Sequence, residues 1–153
     1  MVNVYVWNMK WGSVGHAALE IDGYGPKVYV SWWPAERSVG ALFGGVPARP
    51  HVDLREDITD EDRSPSQQIE MYGLHEAPMR DAWNRIRSTA NYELWESSCA
   101  TTVAKLLEAG GGGSYARPPV WVVWTPDDVA TYAREINAGY SRVEWRMFMA
   151  DMA

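Results

Sequence analysis

A chain of 153 residues has the size of one domain, 1–153, with room for one substantial core and not for two. Nearly half of its residues are apolar, with nine Trp and eight Tyr against two Phe, a composition that excludes a disordered segment. Its formal charge of −6 argues against nucleic acid or an anionic membrane surface as a partner, since both call for a basic face.

Residues 2–7 alternate Val with Asn, Tyr and Trp, the period-two pattern of a half-buried strand. Residues 15–21, GHAALEI, form a second strand with Ala17, Leu19 and Ile21 on one face and His16, Ala18 and Glu20 on the other. A turn through Asp22 to Pro26 leads into KVYVSWW, so the second and third strands are expected to form an antiparallel hairpin. From Pro34 to Pro65 the chain reads as a long irregular connection, glycine-rich over residues 40–50 and acidic through Asp53, Glu56, Asp57, Asp60, Glu61 and Asp62. Connections of that length are usually functional. Residues 67–72 return as a fourth strand.

Met79, Ala82, Trp83 and Ile86 at helical spacing predict a helix over residues 77–90. A second is capped by Ser97 or Ser98, runs through Cys99, Val103, Leu106 and Leu107, and stops at the glycines of 110–113. After an apolar segment at 120–124, Thr125 and Pro126 open a third helix, TPDDVATYAREI, and the tail is expected to add a short strand. The fold class is therefore α+β, an antiparallel sheet packed on the helix that carries the cysteine. The N-terminus has no signal-peptide pattern and no stretch of about 18 apolar residues occurs, so a chain without a transmembrane segment is expected, soluble and either cytoplasmic or secreted by a leaderless route.

One cysteine can form neither an internal disulfide nor a zinc cluster, and three scattered His with an unpatterned acidic run give no metal-ligand spacing. Cys99 falls in the first turn of its helix, where the helix dipole and unpaired N–H groups favour a thiolate and can hold an oxyanion. An inert buried thiol is the plainer reading of Cys99 alone, and a hydrogen-bonded imidazole that of His16 alone. Together, a strand His and a helix-N-terminal Cys are the halves of a thiolate–imidazole dyad. His51 and His75 sit in polar, loop-like surroundings. Trp32 and Trp33 are candidates for the wall of an acyl or peptide groove, against the plainer reading of one core and one surface ring.

GHAALEI at 15–21, YVSWWP at 29–34 and SSCATTVAKLLEAGG at 97–111, with IEMYGL and WTPDDVATYA, resemble the circularly permuted branch of the papain-like superfamily, in which the His strand precedes the Cys helix. Within it the chain is most similar to the Rho-inactivation domain of multifunctional RTX toxins and related effectors, and other permuted relatives are lecithin retinol acyltransferase-like enzymes, NlpC-type amidases and deubiquitinase-like peptidases. The resemblance implies thiolate-mediated acyl transfer or acyl hydrolysis, including fatty acylation of lysine, with Cys99 as nucleophile and His16 as base and acid. An Asp between them would orient the imidazole; Asp57 is preferred and Asp53 also fits by order. Ser98 stands where many relatives carry Asn, which puts its part in the oxyanion site in question. No cofactor is expected, acyl-CoA entering only as the donor of a transferase, and the partners implied are an acyl or peptide substrate and a target protein. A cysteine peptidase or amidase and an inactive papain-like binding module are the alternatives.

Overall fold

A computed structural model describes residues 1–35, 46–89, 91–92, 98–119 and 123–152. Four strands make the main sheet: β1 (Val2–Trp7), β2 (His16–Ile21), β3 (Val28–Val30) and β6 (Gln67–Met71), in the order β3-β2-β1-β6 and antiparallel throughout. The expected third strand divides at Ser31. Beyond it, β4 (Trp32–Pro34) leaves the sheet to pair with β5 (Ala48–Pro50). The expected hairpin is thus formed by β2 and β3, and the stretch after it crosses to a second, two-stranded layer.

The register Val2↔Ile21, Val4↔Leu19 and Val6↔Ala17 gathers apolar side chains on one face, as the period of two requires. Helices α2 (Glu76–Thr89), α3 (Cys99–Ala109) and α4 (Pro126–Asp151) cover that face, bringing Met79, Trp83, Val103, Leu106, Val129 and Ile136 into one core with Leu19, Ile21 and Ile69. The opposite face carries Tyr5, Trp7, Ala18 and Tyr29 and meets Leu54 and Ile58 of the short helix α1 (Leu54–Glu61).

Two sequence expectations need correction. The acidic connection is not irregular throughout, because it contains β5 and α1. Residues 36–45 of it, like residues 120–122 of the apolar segment, lie outside the described residues. The tail forms no strand, since α4 continues unbroken to Asp151. No proline interrupts it, and Gly139 inside it lets the backbone of Tyr115 approach, a Cβ there falling 2.0 Å from the Tyr115 carbonyl oxygen. Val143, Trp145, Met147 and Phe148 near its end are exposed. Among the described residues no helix is long and apolar enough to cross a membrane.

Candidate active site

His16 opens β2 directly after Gly15, which has φ +77, and a Cβ at Gly15 would lie 2.5 Å from the Trp7 carbonyl oxygen. Only glycine fits this corner without strain, and the corner sets the imidazole at the very end of the strand. There it can be reached from both faces of the sheet. Cys99 arrives from the apolar side as the first residue of α3, and Asp57 arrives from the other side on the inward face of α1.

His16 is 1% exposed, Cys99 8% and Asp57 0%. The imidazole Nε2 lies 3.2 Å from Asp57 Oδ2 and 3.1 Å from Ser31 Oγ. The ring is also hydrogen-bonded to the Cys99 thiol, for which Nδ1 is the nitrogen left over. Backbone N–H groups of Ala17 and Ala100 point to the same sulfur. Burial pushes the thiol up, but the charge and hydrogen bond of His16 and these N–H donors outweigh it, so its pKa is lowered. Burial likewise works against charge on His16, yet the Cys99 thiolate and the Asp57 carboxylate push it up to about 10. The thiol and the imidazole thus each favour the charged form of the other.

Asp57 is held in place by a set of donors that the sequence analysis did not group. Tyr29 donates to Oδ2 at 2.6 Å, while Ser31 and Trp33 Nε1 donate to Oδ1 at 2.7 Å each. His51 Nδ1 adds another bond to Oδ1 at 2.7 Å. Burial raises the carboxyl, but the hydrogen bond and charge of His16 with the bonds from Tyr29 and Ser31 take it well below the usual carboxylate range. A signal for part of this set was present: Tyr29, Ser31 and Trp33 recur at the strand period of two, all of them donors.

The other expected site residues lie elsewhere or serve differently. Asp53 is the exposed N-cap of α1, its Oδ1 accepting from Arg55 N and Glu56 N. Trp32 forms no groove wall; it is 2% exposed and packs edge-on against Trp83 in the core. Trp33 lies against His16, with ring centroids 4.4 Å apart and the planes tilted by 31°. Ser98 caps α3, accepting from Thr101 N and donating to Thr101 Oγ1, so its hydroxyl is committed to the helix start. Tyr92, which sequence reasoning passed over, is hydrogen-bonded to Cys99, and burial together with the thiolate pushes its phenol well above the ordinary range. A two-bond bridge to Val46 holds its backbone. Among the described residues no group of three His, Cys, Asp or Glu is placed to hold a metal ion.

Residues 48–148, about two thirds of the chain, match the family described as the IcsB middle domain. The chain belongs to that family. The matched segment includes His51, Asp57 and Cys99 and begins after His16 and its hairpin. Over 74 residues this IcsB middle domain family member is 34% identical to a multifunctional-autoprocessing repeats-in-toxin protein of Vibrio vulnificus, and it is 32% identical to one of Vibrio cholerae serotype O1. Those stretches are 45% of this chain but 1% and 2% of the two relatives, so the chain spans only a small fraction of the toxins it resembles. It is a domain related to parts of bacterial toxins. No solved structure matches it.

Proposed function

We propose that the domain is a cysteine-dependent acyl-transfer enzyme of the permuted papain-like type, acting as a toxin or effector module on a target protein. The reading is carried by one observation, the contact of the Cys99 thiol with an imidazole whose far nitrogen faces a buried carboxylate. The Cys99 thiolate attacks an acyl carbon, and the oxyanion forms beside the N–H groups at the start of α3. His16 gives its proton to the departing group, leaving a thioester on Cys99. It then takes a proton from the acceptor as the acceptor attacks the thioester, which restores the thiolate–imidazolium pair. Asp57 holds the imidazole in orientation and stabilises its cation. The resemblance to Rho-inactivation-type domains is the ground for proposing a fatty acyl group, acyl-CoA as donor and a lysine amine as acceptor; the two toxin relatives support the coarser reading of a toxin-related domain.

The test is the rate of Cys99 alkylation by iodoacetamide against pH, in the native protein and in His16→Ala. An apparent thiol pKa well below the free value of about 8.5 that is lost in the variant is the expected result. A thiol that reacts only on unfolding, or is indifferent to His16, overturns the reading and leaves a binding module in its place.

A further inference from the structure

His51 is 2% exposed, yet it has no part in the reaction proposed above. Its Nδ1 faces Asp57 Oδ1 at 2.7 Å, an acceptor only, so this nitrogen carries the proton and donates it. The opposite nitrogen, Nε2, lies 2.7 Å from the Arg49 guanidinium and 3.1 Å from Asp60 Oδ2. The His51 ring is stacked on Trp33, with centroids 5.3 Å apart and planes at 23°, and the other side of that contact chain is His16, 4.4 Å from Trp33. Three rings therefore lie in series, His16, Trp33 and His51, and each turns one N–H toward the same carboxylate.

We propose that His51 is a positioning residue of the Cys99–His16 site, acting through the Asp57 carboxylate and the Trp33 ring and not on substrate. The inference rests on the acyl-transfer reading and deepens it. Its backbone is fitted to the task, since His51 N donates to the Ser31 carbonyl oxygen at 3.3 Å and so ties the end of β5 to the junction between β3 and β4, just before Trp33. The charged and titratable groups facing this cluster are His16 from β2, Tyr29 from β3, Arg49 from β5, Asp60 from α1 and, through His16, Cys99 from α3. Without the Nδ1 donor, Oδ1 would keep only its bonds from Ser31 and Trp33 and lose one of three, which weakens the support for the ionised carboxylate. Trp33 would also lose the surface it stacks on. Both changes loosen the imidazole that stabilises the thiolate.

Three variants decide it by the same alkylation profile, with thermal unfolding measured alongside. His51→Asn presents an N–H near the Nδ1 position, His51→Gln near the Nε2 position, and His51→Leu presents none. The expected result is a near-native profile for the Asn variant, while at pH about 6 alkylation of the Gln and Leu variants slows about tenfold as the thiol pKa rises. Should His51→Leu not fold, the Asn and Gln pair still decides. A residue that only supports the fold would lower the melting temperature and leave the profile of folded protein in place, so unchanged profiles, or Asn and Gln variants that behave alike, overturn the proposal. If His16→Ala moves the profile and the His51 variants do not, this inference alone fails. If His16→Ala is also without effect, both readings fail together.

Discussion

On one face of the main sheet Val4, Leu19, Ile21 and Ile69 meet three helices across a continuous apolar layer; on the other, a smaller patch of Tyr5, Trp7, Ala18 and Tyr29 is covered by the eight residues of α1. The first face is held by area, and area is non-directional, so many side chains share the load. The second face is held by directional bonds that converge on Asp57, a buried charge that is tolerable only with its donors in place. His16 sits where the two regimes meet. The difference teaches that one side of the sheet is held by packing and the other by directional bonds, so a loss of packing should leave the site's chemistry in place, while a loss of the bonds should disturb stability and chemistry together.

The largest effect is expected from Asp57→Ala, which leaves His16, Tyr29, Ser31, Trp33 and His51 without their shared acceptor. Breaking a buried pair in this way costs about 3–5 kcal/mol, to be read from urea unfolding. The pH dependence has a defined sign. Because the folded carboxyl is held below the ordinary value of about 3.9, the stability it contributes is present above that pH and is lost as pH falls toward and through the lowered folded value. The variant should lack this acid-side decline, and a variant as stable as the native protein at neutral pH would break the comparison.

Leu106→Ala, on the apolar side, should cost about 2–5 kcal/mol through the cavity it leaves, with the pH profile of Cys99 alkylation unchanged in the folded protein. A shifted profile would mean that packing and chemistry are not separable. Asp53→Ala sharpens the contrast within α1 itself. Removing this cap should cost about 1 kcal/mol and speed hydrogen exchange at Arg55 and Glu56, while thiol reactivity is kept. If it altered thiol reactivity as much as Asp57→Ala does, the division of roles between the two acids would be wrong.

The apolar face was legible in the sequence because its residues obey simple periods. Val2, Val4 and Val6 alternate, Met79, Ala82, Trp83 and Ile86 repeat at the helical interval, and Ser98 and Thr125 mark helix starts. The polar face was much less so. Its covering helix, LREDITDE, offers only Leu54 and Ile58 to the sheet and turns an acid inward, so no apolar stripe marks it as a helix. Asp57 was preferred through the family resemblance and not through any local pattern, which offers six acids alike, and His51 read as a loop residue, because the burial of both depends on partners far apart in sequence. Cys99 and His16 could be paired because each sits on a strongly patterned element. For Trp32 and Trp33 a groove wall and the plainer reading of one core and one surface ring both stood open, because exposure cannot be told from sequence for one of two adjacent tryptophans; Trp32 is the core ring and Trp33 points to the carboxylate.

Gly15 shows how far the demands of such a site extend beyond its reacting atoms. With its positive φ and the Trp7 carbonyl pressed against the place of a Cβ, position 15 tolerates no side chain without moving the start of β2, and with it the imidazole. In a saturation scan scored by activity, Gly15 would rank with His16 and Cys99 although it offers no functional group. Selection at that position acts on the shape of the backbone, and the neighbouring histidine inherits its accuracy from it.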